Sequence, residues 1–128
     1  MIYVDTSVVL AELFAEDRHP PADFWDEELA SSRLVEYETW NAIHRRRTER
    51  FHGESARRII ESLALAELSR HVLQRAIEPF PVPVRTLDAL HLSTLLFLRS
   101  LGVEIALASY DGRMIEAACA LEIDLAEC

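Results

Sequence analysis

Met1-Ile2-Tyr3-Val4-Asp5-Thr6-Ser7-Val8-Val9-Leu10 opens the chain with an apolar run, a carboxylate, two hydroxyls and a second apolar run. Ile2, Tyr3 and Val4 have the bulky, partly β-branched character of a short buried strand. Asp5-Thr6-Ser7 offers helix-capping side chains, and Val8 to Ala15 reads as the helix they cap. A strand that runs straight into a helix is the beginning of a parallel α/β arrangement. The same order returns near the C-terminus. There Val103-Glu104-Ile105-Ala106-Leu107-Ala108 reads as a strand, and a helix from Asp111 to about Leu121 follows Ser109-Tyr110. Ligands of open parallel sheets bind at the carboxyl ends of the strands, so Asp5 and Asp111 are both expected at that edge.

Working outward, His19-Pro20-Pro21 is a break, and Asp23 to Leu29 reads as a short amphipathic helix. Ala30-Ser31-Ser32 is a brief extended piece, with Ser32 a candidate cap for a helix from about Arg33 to Arg47. Phe51-His52-Gly53 reads as an interruption. Ala56, Ile59, Ile60 and Leu63 then follow at i, i+3, i+4, i+7 and mark a helix. Ala64 to Leu68 is a candidate strand, and Ser69 caps a helix through about Ile77. Pro79, Pro81 and Pro83 fix an extended connection. Thr86 caps a helix to about Ser100 whose apolar residues run almost all round, which predicts a central, buried position. Gly102 stops it, and Ile123 to Leu125 is a candidate last strand. Strands alternating with helices predict an α/β fold with a mostly parallel sheet of four to five strands and helices on both faces, in a single domain over residues 1–128.

The net charge of −9 argues at first against a nucleic-acid partner. Bound metal would neutralise part of it, and the thirteen basic residues are all arginine, with Arg45, Arg46, Arg47 and Arg50 clustered. An acidic average with a local arginine patch suits a nuclease, or an acidic protein with a basic partner peptide. Cys119 and Cys128 form no metal-ligand pair and no disulfide framework; Cys119 reads as a core or near-core thiol. No apolar stretch reaches membrane-spanning length. The apolar opening lacks a basic flank and is broken by Asp5, so it does not read as a signal peptide, and a cytoplasmic location is expected.

Four acids stand out against this frame: Asp5, Glu38, Asp88 and Asp111. Each has an ordinary explanation. Asp5 and Asp111 suit helix caps, Glu38 a solvated helix, and Asp88 the first turn of a helix, where a negative charge gains roughly 0.3–1 kcal/mol. The combination is harder to dismiss. Asp88 and His91 are the only strongly polar residues of their helix before Arg99, and Ser109-Tyr110-Asp111 repeats the chemistry of Asp5-Thr6-Ser7. Carboxylates gathered without cations repel one another, and a divalent ion removes that cost. His91, one turn after Asp88, has two readings, a packed core histidine first and a residue facing the site second.

The residues that carry these acids resemble four motifs of the PIN-domain ribonucleases, in particular the VapC-type toxins of bacterial VapBC toxin–antitoxin pairs. Met1-Ile-Tyr-Val-Asp5-Thr-Ser-Val-Val-Leu10 is similar to the family's opening strand and first acid. Ser32-Arg-Leu-Val-Glu-Tyr-Glu38-Thr-Trp-Asn-Ala42 resembles the second motif, Leu87-Asp88-Ala-Leu-His91-Leu92 the third, and Ala108-Ser-Tyr-Asp111-Gly-Arg-Met114 the fourth. Glu36 and Glu38 both lie in the second motif, and residues two apart on a helix point to nearly opposite sides. The family pattern has a small residue four positions after its glutamate, and Ala42 stands there relative to Glu38. Glu38 is therefore chosen, with Glu36 in reserve.

The resemblance implies a three-layer α/β/α sandwich and metal-dependent RNA cleavage. Asp5, Glu38 and Asp88 would ligate Mg²⁺, with Mn²⁺ as the other candidate, and Asp111 would complete the site. Thr6 and Ser109 would orient ligands or water, while Arg85 and Arg113 flank the third and fourth motifs and would touch the RNA backbone. A cognate VapB-type antitoxin, an RNA substrate and a homodimer are implied as partners. Phe24 and Trp25 are read as part of a groove for an antitoxin helix. Phosphatase and receiver folds that also open with an aspartate need a lysine, which this chain lacks, and the phosphatase needs a second aspartate where Ser7 stands. The remaining alternative is a catalytically inactive PIN-like interaction module.

Overall fold

The computed structural model describes all 128 residues. Four short strands form one all-parallel sheet: β1 (Ile2–Val4), β2 (Leu29–Ser32), β3 (Ala64–Ala66) and β4 (Ala106–Ala108), in the order β3-β2-β1-β4. Six helices accompany them: α1 (Thr6–Leu13), α2 (Leu34–Arg46), α3 (Glu49–Glu61), α4 (Arg70–Ala76), α5 (Thr86–Ser100) and α6 (Gly112–Ala120). No helix is long and apolar enough to cross a membrane.

Side chains alternate across a strand, and that alternation builds the layers. Tyr3 belongs to one core with Leu92, Leu95, Met114 and Ala117, from α5 and α6. Val4, the next residue, belongs to a second core with Val8, Val9, Phe24 and Val35. In β4, Leu107 and Ala108 divide between the same two cores. β1 is thus buried on both faces, which explains its unbroken apolar character. A smaller cluster of Leu13, Ile43 and Ala56 ties α1, α2 and α3 together. The expected three-layer α/β/α sandwich is what the chain forms.

Several local expectations are corrected. The helix expected over Asp23 to Leu29 is only a 3-10 turn, Ala22–Asp26, because β2 already begins at Leu29. Phe24 is buried in the second core with Trp25 packed against it, so the pair forms no open groove. Phe51-His52-Gly53 does not interrupt: α3 starts at Glu49 and runs through Gly53, which lies against Trp40 of α2. Of the strand expected over 103–108 only Ala106–Ala108 pairs, because its partner β1 begins at Ile2, opposite Ala106. The last strand reduces to one bridge between Leu107 and Leu125. Helix α5 is not buried all round: Leu87 is 46% exposed, and Ala89, Leu92 and Leu95 face the interior together with polar His91, Ser93 and Thr94. Cys119 is exposed, since α6 turns Met114, Ala117 and Ala118 inward.

Candidate active site

Asp5 is the residue immediately after β1, and its N–H extends the ladder to the Ala108 carbonyl at 3.0 Å. It occupies the N-cap position of α1, yet its side chain makes no capping bond. The carboxylate is engaged elsewhere. Ser7 donates to Oδ2 at 2.6 Å and Ser109 donates to the same oxygen at 2.8 Å. These hydroxyls are fixed in turn by backbone: the Tyr110 N–H donates to Ser7 and the Asp111 N–H to Ser109, each at 3.0 Å. Two strand ends are thereby knitted together around one carboxylate that is only 6% exposed.

Glu38 enters from the first half of α2. Thr6 donates to its Oε1 at 2.9 Å, and Nε2 of His91 lies 2.5 Å from the same atom. His91 is 1% exposed, and its Nδ1 is 2.8 Å from the Tyr3 hydroxyl. Burial pushes the Tyr3 phenol well above its usual range, and the Asp5 charge adds to this, so Tyr3 stays a hydroxyl donor. Glu36 points elsewhere and pairs with Arg33, which also holds Glu67 at 2.6 Å.

Asp88 accepts the Arg85 N–H at 3.3 Å and so caps α5, a role the sequence reading gave to Thr86, which is itself the first helical residue. Asp111 caps α6 by accepting the Arg113 N–H at 3.0 Å. Asp88 is held above the usual carboxylate range, first by burial and then by the charges of Asp111 and Asp5, against the lowering effect of the Arg85 N–H.

One rule covers all four acids. Each has one oxygen anchored by the protein, and the other takes no protein hydrogen bond: Oδ1 of Asp5, Oε2 of Glu38, Oδ1 of Asp88 and Oδ2 of Asp111. All four line a single cleft of about 480 Å³ with Thr6, Ser7, His91 and Arg85. No arginine forms an ion pair with any of the four; the one charged-type contact is His91 on Glu38. Arg113 is exposed and lies outside the cleft lining. A larger groove of about 680 Å³ shares Arg85 and Thr86 with this cleft, but its walls are chiefly Leu73, Ile77, Phe80 and the proline connection, which carry no chemistry for bond breaking.

The donor set suits a hard divalent cation, which prefers oxygen ligands. No group of three or more His, Cys, Asp or Glu side chains is drawn together closely enough to hold a metal ion by itself. Mg²⁺ sites commonly use one or two carboxylates directly and complete the octahedron with waters or substrate phosphates. Asp88 feels the charge of Asp111 and then that of Asp5, and Glu38, held by Thr6, lines the same cleft.

Thr6 and Ser109 are the orienting residues expected from sequence; the structure adds Ser7, Tyr3 and His91. Thr6 serves Glu38 rather than Asp5, and Ser7 is the counterpart of Ser109. The signal for Ser7 was present in the repeated carboxylate–hydroxyl pattern at the two strand ends. Tyr3 had none, because a buried hydrogen-bonded tyrosine has the same local sequence as an apolar core aromatic, whereas His91 was marked by its place one turn after Asp88 on an otherwise apolar helix.

Solved structures with this architecture include a toxin–antitoxin complex from Klebsiella pneumoniae and VapC20 from Mycobacterium tuberculosis, a toxin that cleaves the sarcin–ricin loop. The first is 14% identical, with 94% of both chains covered and a TM-score of 0.67. The second is 21% identical over 91% of this chain and 95% of the other, with a TM-score of 0.64. At these identities the likeness is one of fold. No curated protein matches the chain. The PIN domain family matches residues 2–119. That span contains the parallel sheet, all four acids and every hydroxyl that holds them, and so the chain belongs to the PIN domain family.

Proposed function

We propose that this protein is a metal-dependent endoribonuclease that acts in the cytoplasm as the toxin of a toxin–antitoxin pair. The observation that carries the reading is the common state of Asp5, Glu38, Asp88 and Asp111: one oxygen anchored, one left free, in one cleft without a paired cation. Membership of the PIN domain family and the likeness in fold to a chain of a toxin–antitoxin complex and to an RNA-loop-cleaving toxin support the choice of RNA as substrate and of a VapB-type antitoxin as partner.

Asp5, Glu38 and Asp88 would hold Mg²⁺ or Mn²⁺ directly or through water, with Asp111 completing the site. When bound, the ion supplies charge neutralisation at the scissile phosphate and an acidified water for in-line attack. Ser7 and Ser109 keep the Asp5 carboxylate from turning away, and Thr6 does the same for Glu38. Arg85, at the lip of the cleft, supplies a positive charge for the RNA backbone. In the overall step a water oxygen bonds to phosphorus, the bond from phosphorus to the 3′-oxygen breaks, and a proton ends on that oxygen. The products are a 5′-phosphate and a 3′-hydroxyl. The active form would be a homodimer.

The test is cleavage of a mixed cellular RNA pool by purified protein in Mg²⁺ or Mn²⁺, beside Asp5→Asn and a chelator control. Cutting by wild type alone supports the reading, and the cut sites then name the target. Equal behaviour of wild type and Asp5→Asn overturns it and leaves an interaction module as the better account.

A further inference from the structure

We infer that His91 is a positioning residue for Glu38, held in register by Tyr3, and that this buried relay sets how tightly the cleft binds a divalent ion. The inference rests on the acid-cleft reading above and deepens it. Four elements converge here: Tyr3 on β1, Thr6 on α1, Glu38 on α2 and His91 on α5. The distances form one chain, with 2.8 Å from Tyr3 to Nδ1 of His91 and 2.5 Å from Nε2 to Glu38. A carboxylate only accepts, so the ring hydrogen on this side belongs to Nε2. Nδ1 is then the acceptor for the Tyr3 hydroxyl, and the tautomer is fixed from behind. Tyr3 and His91 are 0% and 1% exposed, so no water competes for the bond between them.

The consequence lies in which oxygen is used. Thr6 and His91 both act on Oε1 of Glu38, and Oε2 is left uncommitted. Two donors converging on one oxygen fix the carboxylate plane as well as its position. A core histidine with a merely structural task would be satisfied by any buried acceptor. This one ends on a side chain that lines the acid cleft, and lines the cleft itself. An imidazole that donates to a carboxylate also moderates the charge with which that carboxylate adds to the repulsion among the other three acids. Partners of this kind, one step removed from a metal, typically change affinity 10–100-fold when they are removed.

The experiment titrates purified full-length protein with Mn²⁺ by calorimetry, with the thermal midpoint of each metal-free variant recorded alongside. His91→Leu removes the donor. His91→Gln restores an N–H at the same number of bonds from the backbone while, like leucine, giving up the Tyr3 bond. Tyr3→Phe keeps the packing and releases the tautomer. The expected order is wild type close to His91→Gln, then Tyr3→Phe, then His91→Leu 10–100-fold weaker, whatever the order of the thermal midpoints. Equal weakening by leucine and glutamine, or affinity that simply follows the midpoints, overturns the inference. Asp5→Asn separates the two readings. If it binds Mn²⁺ as wild type does, the acid-cleft reading falls and this inference with it. If it loses Mn²⁺ while His91→Leu binds normally, only the role of His91 falls.

Discussion

Ser7 and Ser109, 102 positions apart, both donate to Oδ2 of Asp5 and stand 3.4 Å from each other. A hydrogen bond to a charged group contributes about 1.5–3 kcal/mol, so Ser7→Ala and Ser109→Ala are each expected to lower stability by roughly that amount in urea without divalent metal. The double variant is expected to lose less than the sum, by about 0.5 kcal/mol or more, because a carboxylate released by one donor turns toward water and depends less on the other. Strict additivity in the double-mutant cycle would show that the two hydroxyls act independently.

Glu36 and Glu38 separate by partner. Glu38→Gln is expected to reduce RNA cleavage about 100-fold or more, the scale for losing a group that acts on transition-state charge. Glu36→Gln breaks only the pair with Arg33 and is expected to leave cleavage at the wild-type level, with less than about 1 kcal/mol of stability lost. Cleavage rates of the two variants on one RNA substrate, measured together, check this; loss of activity in Glu36→Gln alone would reverse the assignment.

Asp88 sits above its usual pKa because burial and the charges of Asp111 and Asp5 disfavour its ionised form. The native state therefore holds a proton at pH values where the unfolded chain has released it. By linkage, this group's contribution to the stability of metal-free protein declines as pH rises from the usual aspartate value through the raised folded one. Asp88→Asn is expected to raise the thermal midpoint of metal-free protein at neutral pH, to lose that advantage in acid, and to abolish the further rise that wild type shows with Mn²⁺. Melting curves across pH, with and without the ion, would detect each effect; a variant less stable than wild type at neutral pH would contradict it.

Gly53 lies inside α3 with a helical backbone, and a Cβ added there would meet the Trp40 ring at 3.5 and 3.8 Å, ordinary packing distances. Glycine within a helix costs about 0.5–1 kcal/mol relative to alanine. Gly53→Ala is expected to stabilise the protein by about that amount with RNA cleavage unchanged, as read by urea unfolding. A loss of stability would mean that α2 and α3 approach more closely than these distances state.

The helix through Gly53 shows why local reading stops short. Glycine and two aromatics look like a break, yet α3 runs through them with Gly53, Ala56 and Ile60 buried and Gly53 lying against Trp40 of the neighbouring helix. Residues 103–105 show the converse: their character suits a strand, but β1 offers no backbone opposite them. Cys119 looked interior because its neighbours are small and apolar, and the rotation of α6 turned it outward. Phe24 failed in the other direction, as an apolar residue beside a proline break that the second core absorbed.

What the sequence determined by itself was whatever a short window encodes: the alternation of strand and helix, the breaks at proline and Gly102, and carboxylates at the ends of two strands. Those signals are local because backbone conformation and side-chain periodicity are local. The tertiary structure alone decided which oxygen of each acid is tied and which is free, that Thr6 serves Glu38 while Ser7 serves Asp5, and that a buried Tyr3–His91 pair ends on Glu38. Hydrogen bonds of 2.5–3 Å join residues 32 to 104 positions apart at this site. No run of neighbouring residues contains that information, because it arises only when the parallel sheet brings its strand ends side by side.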